Sequence, residues 1–157
     1  MAFQSRQPEH HIPLPIVNTE EESVCLPLVI NVLMRYWGEQ APLAEAAELS
    51  KKYPKLKGTV MIEGMELAER HGFSSYTYKG SLKDIKRRID QGIPPITIAP
   101  GIQDTVQHAT IVSGYDGEER RILTYVPQQD AVGAIPEIKF EEDWKQEDMT
   151  TIIIIPN

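Results

Sequence analysis

The chain has a single cysteine among its 157 residues, and this scarcity excludes two kinds of site. One thiol cannot form a disulfide within the chain, and it cannot supply a zinc site built from several cysteines. Cys25 is therefore a small buried hydrophobic residue, a reactive thiol or an intermolecular link. No other set of metal ligands is evident in the sequence, so we expect neither a metal nor a cofactor.

Long apolar runs and positive charges are scarce as well. No stretch approaches the ~20 apolar residues of a membrane helix, and residues 1–11 are polar, so we expect neither a membrane span nor a signal peptide. The 16 basic and 23 acidic residues give a net charge of −7, which repels nucleic-acid phosphates and anionic lipids. We therefore expect a cytoplasmic protein that binds neither nucleic acid nor membranes. The sequence does not indicate its oligomeric state.

Hydrophobic residues make up 41% of the chain, which is enough for one continuous core. Residues 1–11 have no apolar periodicity, and we expect them to form a flexible N-terminal arm in front of one domain over residues 12–157. The first half of this domain has the periodicity and the boundary residues of helices. Helices are predicted over 25–37, between Pro42 and Pro54, and over 60–71 with Thr59 as the N-cap.

The second half of the domain is rich in β-branched residues separated by Gly, Pro and Asp. Strands are predicted over 73–78, 96–99, 108–112, 122–126 and 150–155. A capping box of Ser81 and Asp84 predicts a further helix that ends at Gln91, and the acidic segment 141–147 is expected to form a solvated helical turn. The fold class is therefore α+β, with N-terminal helices packed on a C-terminal antiparallel sheet. The isoleucines at 152–155 indicate a buried central strand.

Two residues, Cys25 and His108, have the placement that thiol chemistry needs. A reactive thiol requires a base that takes its proton and N–H donors that stabilise an oxyanion. Cys25 opens an apolar helix, whose free N–H groups favour a thiolate, and His108 opens a strand that can present a base across the helix–sheet seam. His10 and His11 fall in the predicted arm, and His71 is better explained as a cation at a helix C-terminus.

Several short motifs follow one another along the chain in a recognisable order. They are an apolar helix that begins with cysteine and ends in aromatic–Gly (25–38), KGT before a helix (57–59), IDQGIPP before a strand (89–95), HATIVSGYD (108–116), and a final segment before a strand (140–144). Over residues 12–155 these motifs resemble the double-glycine-leader, bacteriocin-processing group of papain-like cysteine peptidases. Cys25 and His108 are 83 residues apart, which is similar to the interval in that family.

The resemblance implies a papain-like cysteine proteinase fold and hydrolysis of a peptide or amide bond in a peptide or protein substrate. It assigns Cys25 as the nucleophile and His108 as the general base that later protonates the leaving amine. Transfer of the acyl group to an amine instead of water uses the same pair, so the sequence leaves both outcomes open.

The chain departs from the family on either side of the cysteine. The family usually has a glutamine about six residues earlier, where its amide helps to hold the oxyanion, whereas this chain has Thr19 with Asn18 beside it. Loss of one oxyanion donor commonly reduces turnover by about 10²–10³, although the backbone N–H of Cys25 would remain. Leu26 replaces the family's glycine, and we expect its isobutyl group to crowd the approach of a substrate backbone.

A third departure concerns the residue that orients the histidine. The family has an aspartate just before a proline after the histidine strand, and this chain has Val126 there. Three nearby side chains are candidates for the orienting role: Tyr125, Gln128 and Asp130. The departures favour an alternative, a catalytically inactive papain-like domain that binds a peptide or protein. Each residue also has a purely structural interpretation, with Cys25 as an inert core residue and His108 as a strand histidine held by a neighbouring carbonyl.

Overall fold

A computed structural model describes residues 10–15, 26–40, 57–100, 108–126 and 131–157. Helices and strands alternate irregularly along these ranges. In chain order they are β1 (His10–His11), α1 (Leu26–Tyr36), α2 (Lys57–Arg70), β2 (Phe73–Lys79), α3 (Leu82–Asp90), β3 (Ile96–Ala99), β4 (His108–Asp116), β5 (Arg121–Val126), β6 (Ala131–Pro136), α4 (Glu137–Lys145) and β7 (Thr150–Pro156). None of the helices in these ranges is long and apolar enough to cross a membrane.

The described strands form one antiparallel sheet in the order β2-β7-β3-β4-β5-β6. β1 also pairs with β4, and because β5 occupies the other side of β4 at that point, β1 continues the line of β3. The isoleucine-rich strand β7 lies between β2 and β3, with Ile152, Ile153 and Ile154 buried. The α+β class, the antiparallel sheet and the buried isoleucine strand are therefore confirmed.

Two hydrophobic clusters cover the two faces of the sheet. One contains α1, the end of α2 and residues such as Ile111 of β4, and the other contains α3, α4 and Val112 of β4. Ile111 and Val112 are neighbours in one strand and belong to opposite clusters, as the alternation of side chains in a strand requires. The N-terminal helices α1 and α2 thus pack on one face as predicted, whereas α3 and α4 cover the other.

The ends of the first helices match the sequence prediction to different degrees. α1 begins directly after Cys25, close to the predicted start, and α2 begins at Lys57, so Thr59 lies inside the helix and is not its N-cap. Ser81 does cap α3, because its side-chain oxygen accepts the backbone N–H of Asp84 at 3.0 Å. The carboxylate of Asp84 accepts hydrogen bonds from other side chains, those of Tyr78 and Arg87. The helix expected between Pro42 and Pro54 lies outside the described residues.

Three further elements differ from the prediction. His10 and His11 were expected in the flexible arm, but they form β1 and pair with Tyr115 and Gly114. β6 (AVGAIP) was not predicted, because glycine and proline are depleted in strands and this short segment contains both Gly133 and Pro136. Of the expected helical turn over 141–147, residues 141–145 form the second half of α4, which begins at Glu137 and buries Phe140 and Trp144.

Candidate active site

The entrance of α1 is the first part of the candidate site. α1 packs against α2, β4 and β7, and its apolar side chains fill the core on this face of the sheet. The first N–H groups of a helix have no partner within the helix, so this entrance is a place where an anion or an oxyanion can be held. Cys25 directly precedes Leu26, the first helical residue, but Cys25 itself lies outside the described residues.

The start of β4 is the second part. The backbone of His108 begins this strand and pairs with Ala99 of β3, while the side chain of His108 is outside the described part of the structure. The next residue, Ala109, is buried in the same cluster as α1. The backbone position predicted for His108 is therefore confirmed, and the meeting of its ring with Cys25 stays a prediction.

Leu26 does not occupy the position expected from the family comparison. Its side chain is buried between α1 and α2, and a methyl group added to Gly64 would lie 3.1 Å from its Cδ2. The expectation that Leu26 crowds the approach of a substrate is wrong for this reason, because the isobutyl group is part of the core. Glycine at position 64 provides the space that it fills.

Tyr125 lies in β5 opposite Ile111, with its ring in the core cluster that contains α1. Its hydroxyl donates a hydrogen bond to the carbonyl oxygen of Pro15. A phenol has one proton to donate, so the oxygen of Tyr125 can bond a histidine ring only by accepting from a ring N–H. The orienting role predicted for Tyr125 is thus restricted to that one geometry.

The start of the segment 10–15 runs antiparallel alongside the strand that His108 begins, and sequence reasoning missed this contact. The N–H of Ile12 donates to the carbonyl of Ser113 at 2.7 Å, and the Ile12 side chain is buried. His10 stacks on Tyr115 with ring centroids 4.2 Å apart, and its Nδ1 lies 2.8 Å from a carboxylate oxygen of Asp90. In the sequence, the only sign of this contact is the pair of apolar residues Ile12 and Leu14 on either side of Pro13. Both side chains pack on the core.

Other candidates contribute less to the described site. Asn18, Thr19, Gln128 and Asp130 lie outside the described residues. Within the described ranges no three His, Cys, Asp or Glu side chains are grouped so that they could hold a metal ion.

Burial raises the pKa of Tyr78, and its hydrogen bond to a carboxylate acts in the same direction.

Comparison with known proteins identifies the family. The profile of the Peptidase_C39 like family matches residues 5–151. The chain belongs to this family. A search among curated proteins finds no match.

Two solved structures have the same fold as this family member. The peptidase domain of Streptococcus ComA, a bi-functional ABC transporter involved in quorum sensing, aligns with a TM-score of 0.66 and 18% identity over 94% of this chain and 100% of that one. A double glycine motif protease from an AMS/PCAT transporter, in complex with the leader peptide, aligns with a TM-score of 0.68 and 14% identity over 95% and 96% of the two chains. The resemblance to this peptidase group and the papain-like fold are therefore confirmed, while the catalytic residues remain predictions.

Proposed function

We propose that the chain is a cysteine peptidase or amidase, with Cys25 as the nucleophile and His108 as the general base. The observation that best supports this pairing concerns the residue after each of them. Leu26, the first residue of α1, and Ala109, the second residue of β4, are buried in one core cluster with 4% and 5% exposure. The helix entrance after Cys25 and the strand start at His108 are thus held by the same core.

The proposed reaction uses these two positions in sequence. The imidazole of His108 takes the thiol proton, and the sulfur of Cys25 attacks the carbonyl carbon of an amide. N–H groups at the entrance of α1 stabilise the oxyanion, with Asn18 or Thr19 as predicted additional donors. His108 then gives its proton to the leaving amine, and water hydrolyses the thioester to regenerate the thiol. A peptide is the proposed substrate, which is supported by the leader peptide bound to the AMS/PCAT protease.

Alkylation of the single cysteine tests the proposed pair. Iodoacetamide should label Cys25 in the folded protein faster than a model thiol at neutral pH, because a thiolate reacts and a thiol does not. His108→Ala should remove this advantage, whereas His71→Ala, a control that deletes an imidazole after α2, should keep it. A folded protein labelled no faster than the unfolded chain contradicts the proposal.

An inactive peptide-binding domain is the second candidate, and the environment of Tyr125 favours it. The family's orienting carboxylate is replaced by Val126, and the proton of the neighbouring Tyr125 hydroxyl is donated to Pro15. This candidate requires that Cys25→Ala leaves peptide binding unchanged and that no member of a broad peptide library is cleaved. Cleavage that disappears in Cys25→Ala eliminates it. Repeating the cleavage with an added primary amine separates acyl transfer from hydrolysis by the mass of the product.

A further inference from the structure

β2 is the outer strand at one end of the described sheet, and its pattern of hydrogen bonds leaves one side open. The carbonyl of Gly72 accepts from the N–H of Asn157, and the N–H of Gly80 donates to the carbonyl of Met149, each at 3.0 Å. In an antiparallel pair the residues that bond the neighbour alternate with residues that face away. Four residues of β2 therefore direct their backbone N–H and C=O groups outward: Phe73, Ser75, Thr77 and Lys79. In the described parts of the chain no strand pairs with this side.

β2 also has few of the features that usually protect an edge strand. Its seven residues pair with β7 in one continuous register without a bulge, and they include no proline. The only charge is that of Lys79, at the end of the strand, and Tyr76 in the centre is 53% exposed. At the other end of the sheet β6 is different, because it ends in Pro136 and α4 packs on it. Long edges with few charges, no bulge and no proline, such as β2, are templates for pairing with another strand.

We propose that two copies of the chain associate through β2, in antiparallel orientation, with the two-fold axis at Tyr76. Only this register pairs all seven residues, because it places Phe73 opposite Lys79 and Ser75 opposite Thr77 of the second copy. In this register each of the four outward-facing residues of one copy lies opposite an outward-facing residue of the other copy. Each of these four pairs exchanges two hydrogen bonds, so about eight bonds connect the copies. Tyr76 then faces Tyr76 in a pair without hydrogen bonds, where side chains are closest and aromatic pairs are favourable.

Local charge favours a second copy at this edge, even though the net charges of the two copies repel each other. The chain has a net charge of −7, yet the open side of β2 has no acidic residue. In the proposed register Lys79 comes to the start of β2 in the second copy, next to the end of α2, where the exposed Glu66, Glu69 and Arg70 sum to one negative charge. The two Lys79 residues are about 20 Å apart, which is more than the screening length of about 8 Å at physiological salt.

The pairing does not involve the candidate active site. β2 and β4 are separated by β7 and β3, so about 14 Å lie between β2 and the strand that His108 begins. Association through β2 therefore does not use the strand that His108 begins. The proposal is independent of the proposed function, and either can fail without the other.

Single cysteines test the register. In a Cys25→Ser background, Tyr76→Cys should form a disulfide-linked dimer on mild oxidation, because the two Cα atoms would be about 4.5 Å apart, within disulfide range. Thr77→Cys is the matched control, since its two Cα atoms would be displaced by two residues and lie about 8 Å apart, beyond that range. Equal cross-linking of the two variants, or none of Tyr76→Cys, overturns the proposal.

Sedimentation equilibrium of the full chain tests the strand itself. Thr77→Pro removes an outward N–H that appears twice in the dimer, and it should weaken association by at least about tenfold. Thr77→Val keeps the N–H and should leave association unchanged. A chain that stays monomeric at millimolar concentration, a dimer insensitive to Thr77→Pro, or an extended peptide bound to β2 of a monomer each refutes the proposal.

Discussion

Replacement of Gly64 by alanine is the most direct test of how α1 is positioned. Gly64 faces α1, and a Cβ built on it lies 2.9 Å from Cδ1 of Ile30 and 3.1 Å from Cδ2 of Leu26. Both neighbours are buried, so neither can move away without disturbing the core. Since Leu26 follows Cys25 directly, a shift here also displaces the helix entrance.

Two opposing terms set the size of the effect. Alanine is favoured over glycine inside a helix by about 1 kcal/mol, whereas an extra carbon in a close-packed core costs about 1–3 kcal/mol. We therefore expect Gly64→Ala to lower the free energy of unfolding by about 1 kcal/mol. Ile30→Val removes the Cδ1 atom that collides and alone costs about 0.5–1.5 kcal/mol. In the double variant the two changes should compensate, with a coupling of about 1 kcal/mol.

Urea unfolding followed by circular dichroism measures these differences from the midpoint at constant slope. Gly117→Ala serves as the control, because a Cβ at that turn has no neighbour within 4 Å. A stabilising Gly64→Ala, or a double variant that equals the sum of the single ones within about 0.5 kcal/mol, would show that Gly64 is not needed for close packing.

Three further changes test other contacts. Ser81→Ala removes the cap of α3 and should cost about 1 kcal/mol in thermal unfolding, and Ser81→Gly only a few tenths. The raised pKa of Tyr78 means that the unfolded chain loses this proton first as pH rises above the usual value of 10.0, so stability should fall there. Tyr78→Phe should reduce that slope in pH-dependent denaturation, and an unchanged slope would contradict this reasoning. Tyr125→Phe removes the hydrogen bond to Pro15 in the N-terminal segment and should lower the free energy of unfolding by about 1 kcal/mol. It should also speed hydrogen exchange at the amide of Ile12, which bonds to β4 in the same segment. Unchanged exchange at Ile12 would contradict this anchoring.

The elements predicted most accurately are those with a strong local pattern. β3 has its predicted bounds, and β7 extends the predicted strand by one residue, because runs of β-branched residues bounded by turns have few alternatives. The capped start of α3 was also predictable, since one serine side chain supplies the missing acceptor. β1 was not predictable, because two histidines have no strand pattern of their own and are ordered by β4 and Asp90.

For the candidate site, the sequence predicted the start of one helix and the start of one strand, but it did not predict the side-chain contacts around them. The positions of Cys25 before a helix and His108 at a strand start follow from local periodicity. The bond from Tyr125 to Pro15 joins residues 110 apart through a backbone carbonyl, which every residue possesses, so no residue type signals it. The burial of Leu26 depended in the same way on a glycine in another helix.

The place of β7 in the sheet determines the order in which the protein can assemble. Among the described strands β2 pairs with β7 alone, and β7 is the last of them along the chain. A growing polypeptide therefore has β2 and β3 ready but unable to join until residues 150–156 have left the ribosome. Such long-range pairing slows folding, and it keeps half-finished chains exposed to chaperones and proteases for longer than local hairpins would.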